Sequence, residues 1–217
     1  YGMTTEIANL CKQYCGAVAV SWYRSEYTLN AIQTLLSAGV KTNIHYVLGK
    51  NSIDEAIDRL KRNAFPDGIN AVIFLLHKPA GQGSKNNVLA FEDPRVAEFF
   101  AQVDMPHPFK VGMDSCNVPG AIHFCKRVRP ESLDTCEGGR FSCYIGADMV
   151  MVPCSFDQDK RYAVSLREMT ITEAWNSGPF ERFRDKMRSA CPDCEKRALC
   201  MGGCPLMPEI VFCNRKN

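Results

Sequence analysis

Cys191-Pro-Asp-Cys194-Glu-Lys-Arg-Ala-Leu-Cys200-Met-Gly-Gly-Cys204-Pro-Leu-Met-Pro-Glu-Ile-Val-Phe-Cys213 places five thiols in 23 residues, separated by two, five, three and eight others. Disulfides alone do not require this spacing. Ligands to a metal centre do, because they must converge from several backbone directions. Cys191-x2-Cys194 supplies two neighbouring ligands from one turn, and Cys200 a third after a short loop. Gly202-Gly203 then lets the backbone fold tightly toward Cys204, and Cys213 returns at the tail. Five thiols exceed the needs of one tetrahedral zinc or one four-iron cluster, so one of them is expected to serve a second centre. Structural zinc and a disulfide framework are the competing readings.

Working outward, Cys116, Cys125, Cys136, Cys143 and Cys154 stand before this run, and Cys11 and Cys15 lie apart near the start, making twelve cysteines in 217 residues. Such thiol density without a secretion signal points to metal rather than to disulfides. Apolar content of 46% and charged content of 23% describe an ordinary globule. A formal charge of +2 gives no reason to expect nucleic acid or a polybasic membrane surface. The longest apolar run, residues 71–76, is far too short to span a bilayer. A cytoplasmic location is expected. No HExxH, nucleophile elbow or persuasive carboxylate pair is present.

The two halves are built differently. Residues 1 to about 90 alternate apolar strands (17–22, 42–48, 69–76) with amphipathic helices, one over 29–38 and one opened by the pattern Ser52-x-x-Glu55. Ile53, Ala56, Ile57 and Leu60 fall on one face of the second helix. Strands this apolar imply a parallel sheet covered by helices, and three strands leave it incomplete. Beyond it the sequence predicts a helix over 94–100, a strand over 109–113 and a hairpin between Cys143 and Cys154 turning near 146–149. Thr170-x-x-Glu173 is a second capping box, and Gly178-Pro179 is expected to separate its turn from a helix over 180–187. The tail offers little apolar material, so ligation is expected to supply its folding free energy.

The tail matches, at every spacing, the Cys-x2-Cys-x5-Cys-x3-Cys…Cys arrangement of the SPASM domain, the auxiliary-cluster extension of radical SAM enzymes, which the chain therefore resembles. Cys136-Glu-Gly-Gly139 and Val150-Met-Val-Pro-Cys154 resemble the first half of that domain, and Trp175-Asn176 with Phe180 and Arg184 its helical lead-in. Asp148 and Pro153-Cys154 fit the pattern, but Met149 stands where the family has glycine in the turn. The resemblance implies an α/β fold: the C-terminal part of a partial (β/α)6 radical SAM barrel over 1–90, a connecting segment over 91–115, and the SPASM domain over 116–217. The family's catalytic Cys-x3-Cys-x2-Cys is not matched. Cys11-x3-Cys15 lacks a third cysteine at position 18 and reads as incidental, so the catalytic cluster is expected upstream of residue 1.

The same resemblance implies two auxiliary 4Fe-4S clusters. Cys191, Cys194, Cys200 and Cys213 would hold one, while Cys204 crosses back to join Cys136 and Cys154 at the other. Cys116 is preferred as the fourth ligand there because it follows a strand end; Cys143 and Cys125 remain alternatives. In the full-length enzyme a third 4Fe-4S cluster would cleave S-adenosyl-L-methionine into methionine and a 5′-deoxyadenosyl radical. Ser21 after the first strand, and Asn43 and His45 on one side of the second, are candidates to bind that cofactor, with packed polar residues as the bland alternative. His77 and Lys78 follow the third strand, where Gly81 and Gly83 permit close approach to a ligand or merely an exposed turn. A peptide or protein substrate and a low-potential donor such as ferredoxin or flavodoxin are the implied partners. An enzyme acting on a small metabolite, and a noncatalytic electron-transfer module, are the alternatives.

Overall fold

In the computed structural model, which describes residues 2–214, a helix α1 (Thr5–Tyr14) leads into strand β1 (Val18–Ser21). Then follow α2 (Glu26–Ser37), β2 (Thr42–Leu48), α3 (Ile53–Arg62), β3 (Ala71–Leu76), α4 (Pro94–Val103) and β4 (Lys110–Met113). All four strands pair in parallel in chain order. Right-handed crossovers between strands laid down in order put every helix on the same face. That is how a barrel segment is built, and it differs from a doubly wound sheet, whose strand order reverses.

Burial follows the two-residue alternation of the strands. Ile44, Tyr46, Leu48, Val72, Phe74 and Leu76 are at most 3% exposed on the helix-covered face. Asn43, His45 and Val47 lie on the other face and are half-buried or exposed. The helices close over an aromatic core in which Phe74 meets Phe99 of α4 edge-on at 4.9 Å and Tyr46 at 5.4 Å. In α3, Ile53, Ala56, Ile57 and Leu60 are buried as their spacing requires. Its acidic first turn and basic last turn both favour the helix dipole, and Asn63 ends it at φ 50°. Asp93 caps α4 through the Arg95 amide, and Pro94 sits in its first turn.

Three expectations for this unit need correction. The sheet has four strands, because Lys110–Met113 pairs with Ala71–Phe74 instead of standing apart. Helix α1 was not anticipated; Thr4 caps it, and Ala8 packs with Leu35 and Val40 while Cys11 lies against them. The Ser52–Glu55 capping box does not form. Ser52 Oγ instead donates to the Val47 carbonyl (2.8 Å) and accepts from the Gly49 amide (2.9 Å), closing the turn after β2.

Glu55 thereby turns toward the end of the sheet. It accepts from Trp22 Nε1 (3.3 Å), Tyr46 OH (3.0 Å) and Arg59 Nε (2.7 Å), and pairs with Arg24 Nε at 2.6 Å. Burial alone would raise its carboxyl, but hydrogen bonds from Arg59, Trp22 and Tyr46 and the charge of Arg24 carry it below the usual carboxylate range. A lowered carboxyl contributes stability above the unfolded-state value of about 4.3, and this is lost as pH falls through the folded value. Glu55→Gln should therefore cost roughly 1–3 kcal/mol at neutral pH. The gap between variant and parent in urea midpoint should close as the solution is taken below about pH 4. A gap that persists unchanged at acid pH would show that Glu55 acts by packing.

Residues 78–91 cluster with 115 onward as a second unit, whereas 92–114 belong with the sheet. Residues 110–113 join the sheet unit because β4 pairs with β3. The second unit holds α5 (Val118–Phe124), an antiparallel sheet of β5 (Tyr144–Ile145), β6 (Val150–Val152) and β7 (Val164–Ser165), then α6 (Ile171–Trp175), α7 (Gly178–Arg188) and α8 (Arg197–Cys200). The hairpin turns where expected, with Met149 at φ 62°, a left-handed position that favours the glycine it replaces. The Thr170–Glu173 capping box forms in both directions. Gly178-Pro179 is the first turn of α7 rather than a separator, since proline fits there.

Met151, Val164, Ala174 and Phe180 form one buried apolar cluster of this unit. Arg184 pins it by donating to the carbonyls of Gly139 (2.6 Å) and Trp175 (2.7 Å), with its guanidinium 4.9 Å from the Trp175 ring centroid. The tail is also better packed than expected: Leu206, Ile210 and Phe212 are 4%, 1% and 0% exposed. Among the described residues no helix is long and apolar enough to cross a membrane.

Candidate metal centre

Two glycine turns bring distant cysteines together in the second unit. After Cys136, the Gly139 amide donates to the carbonyls of Ser142 (2.8 Å) and Pro153 (3.1 Å), with Gly139 at φ 64°. A Cβ on Gly138 would stand 3.0 Å from the Pro153 carbonyl oxygen and 3.5 Å from both Cys136 Sγ and Cys154 Cβ. Only a bare backbone lets the Cys136 turn lie so close against Pro153-Cys154. Gly202 and Gly203, at φ 77° and 73°, turn the chain into Cys204, and a Cβ on Gly203 would strike Val211 Cγ1 at 2.7 Å.

Cys116, in the turn that follows β4, lines a cavity together with Cys136, Cys154, Cys200 and Cys204. Phe156, Phe183, Leu206, Met207 and Ile210 supply apolar wall. Burial pushes the Cys136 thiol up to about 11, and the nearby Cys154 and Cys204 thiols push the same way. Burial raises Cys154 as well, with Cys204 adding to it. Thiols held protonated in this way give up their protons only to a strong electrophile, as when a metal binds. Soft sulfur donors lining an apolar cavity are the donor set an iron–sulfur cluster uses, and five cysteines line this one.

The other predicted ligands are placed less compactly. Cys191 adopts φ 50°, and its carbonyl accepts from the Cys194 amide (3.1 Å), so this pair shares one turn. Cys200 ends α8 and faces the cavity of the Cys136 group, a position the spacing did not indicate. Among the described residues no three of His, Cys, Asp and Glu gather closely enough to hold a single ion. Cys125 caps α5, and Cys143 is exposed just before β5.

In the first unit, Ser21 ends β1 opposite His45, and Ala19 lies opposite Asn43. Ser21, Asn43 and His45 therefore share the face of the sheet that the helices leave open. Asn43 Oδ1 accepts from Asn70 Nδ2 at 2.7 Å.

Sequence reasoning missed Asp157. It is 3% exposed, its amide donates to the Cys154 carbonyl (3.0 Å), and its carboxylate accepts from the amides of Arg161 (3.1 Å) and Tyr162 (2.9 Å). An aspartate closing a turn three residues after Cys154 was the available signal. Phe156 and Phe183 were also missed as cavity wall, since nothing in their spacing sets them apart from other core aromatics.

Residues 136–196 match the SPASM family model, described as an iron–sulfur cluster-binding domain. This segment of the cysteine-rich unit is similar to a SPASM domain. Among solved structures, the chain is similar to native anSMEcpe with bound AdoMet and Kp18Cys peptide, at 15% identity and a TM-score of 0.60 over 93% of this chain and 63% of that one. Native anSMEcpe with bound AdoMet and Cp18Cys peptide gives 15% identity and a TM-score of 0.63 over 96% and 64%. At this identity the likeness is one of fold, and the chain spans under two thirds of the length of those structures. Curated proteins give no match. The likeness to those structures extends over nearly the whole chain, and the SPASM model matches the segment 136–196 within it.

Proposed function

We propose that the chain is the C-terminal portion of a cytoplasmic radical SAM enzyme that modifies a peptide or protein, with two auxiliary 4Fe-4S clusters in its SPASM domain. The cavity lined by Cys116, Cys136, Cys154 and Cys204 carries this reading, within a segment that matches a cluster-binding domain over residues 136–196. These four residues would hold one cluster, and Cys191, Cys194, Cys200 and Cys213 the other. Bound clusters of this kind supply low-potential electron transfer or a place to hold substrate.

The chain's own part is to hold thiolates in an apolar shell and keep water away from them. On the open face of the sheet, Ser21, Asn43 and His45 would contact S-adenosyl-L-methionine. Peptide as the substrate class is supported by the peptide complexes of anSMEcpe, which share the fold. A ferredoxin- or flavodoxin-like protein would supply the electrons.

The test compares the 217 residues alone with the same chain preceded by a segment bearing Cys-x3-Cys-x2-Cys, both prepared without oxygen. The shorter chain should be brown and hold about eight iron and eight sulfide atoms, yet release no 5′-deoxyadenosine under a strong reductant. The longer one should release it. A colourless chain with stoichiometric zinc would sink the cluster reading, and abundant 5′-deoxyadenosine from the shorter chain would sink the assignment of its catalytic cluster to a separate segment.

A further inference from the structure

The wall that carries the cysteines also carries a cation. Lys78 begins the 78–91 segment that clusters with the cysteine unit, and it lines the same cavity as Cys116, Cys136, Cys154 and Cys204. Its ammonium stands 5.1 Å from the ring centroid of Phe156, another wall residue two positions beyond Cys154. The Lys78 backbone is fixed by a tight turn. Its carbonyl accepts from the Ala80 amide (2.8 Å), the Ala80 carbonyl accepts from the Gly83 amide (2.9 Å), and a Cβ on Gly83 would fall 2.0 Å from the Lys78 oxygen. The glycine noted in the sequence as allowing close approach is thus required by the turn that positions this lysine.

A charge beside an apolar wall acts through a lower effective dielectric than it would in water. A charge on a residue lining this cavity would act on a centre held there.

We propose that Lys78 tunes the centre held by Cys136, Cys154 and Cys204, its fixed positive charge favouring the reduced state of the cluster and so raising its reduction potential. The inference rests on the cluster reading given above. When the centre takes one electron from a reductant such as dithionite, its net charge becomes one unit more negative, with no bond made or broken and no proton moved. A cation at the wall favours that added charge, and removing it disfavours reduction.

The experiment uses the full chain, reconstituted anaerobically, in three forms: parent, Lys78→Met and Lys78→Arg. Iron and sulfide are counted, and a mediated dithionite titration is followed by electron paramagnetic resonance. All three should hold equal iron. One reduction step of Lys78→Met should move to a more negative potential, while Lys78→Arg, which keeps the charge, stays with the parent. Identical potentials for Lys78→Met and parent would overturn the proposal. So would iron lost from Lys78→Met and kept in Lys78→Arg, since Lys78 would then assemble the site instead of tuning it. A parent chain that takes up no iron would fail the cluster reading itself and is distinguishable from both.

Discussion

Phe183→Ala is expected to destabilise the cysteine unit by roughly 3–5 kcal/mol, the usual range for emptying a fully buried aromatic site. Phe183 is 0% exposed, meets Tyr162 edge-on at 5.2 Å, and lines the cysteine cavity. It also abuts the Cys136 turn: a Cβ on Gly139 would stand 3.0 Å from its Cδ1. The ring therefore supports the glycine turn that sets Cys136 beside Cys154, and its loss leaves a void at the point where the Cys136 and Cys154 loops meet. Thermal or urea unfolding under reducing, oxygen-free conditions reads the effect. Ile171→Ala is the control, since Ile171 is 55% exposed and should shift stability by under about 0.5 kcal/mol. Equal losses in the two variants would show that Phe183 fills no essential space.

The second large effect concerns metal content. Cys204→Ala and Cys136→Ala should each lower iron from about eight atoms to about four, because on the proposed assignment each removes a ligand from one of two clusters. Cys213→Ala should lower it by a similar amount but spare the other cluster, which spectroscopy of the remaining centre can identify. Cys11→Ala should keep all its iron, since Cys11 packs against the cluster of Ala8, Leu35 and Val40 in the sheet unit. Cys200 is the informative case, because it lines the Cys136 cavity and yet belongs by spacing with Cys191 and Cys194. Iron loss from Cys11→Ala equal to that from Cys204→Ala would defeat the partition.

The sequence was most readable where burial alternates cleanly. Residues 42–48 form β2 as read, because Thr42, Ile44, Tyr46 and Leu48 face the helices while the residues between them do not. Strand β4 was recognised as a strand but not as part of the sheet, since Lys110–Met113 is short and its partner lies in β3, across a long connection. The pattern Ser52-x-x-Glu55 promised a capping box, but both side chains had stronger tertiary partners in Val47, Gly49, Tyr46 and Arg59. Strand β7 is two residues long, below what periodicity can reveal. At the candidate site, spacing named the cysteines but could not show that Cys200 shares a cavity with Cys204, or that a lysine from the end of β3 enters its wall. Such neighbours are made by the fold, through glycine turns whose partners are far away in sequence.

The chain passes from one unit to the other at 77/78, 91/92 and 114/115. Neither unit is therefore one uninterrupted stretch of gene. A fragment cut at residue 115 would discard Lys78, the buried Leu89 and Phe91, whose ring meets His123 at 5.1 Å and Phe124 at 5.7 Å. Recombination at that boundary would deliver a cysteine module missing part of its own wall. A segment that keeps either unit whole must carry part of the other with it.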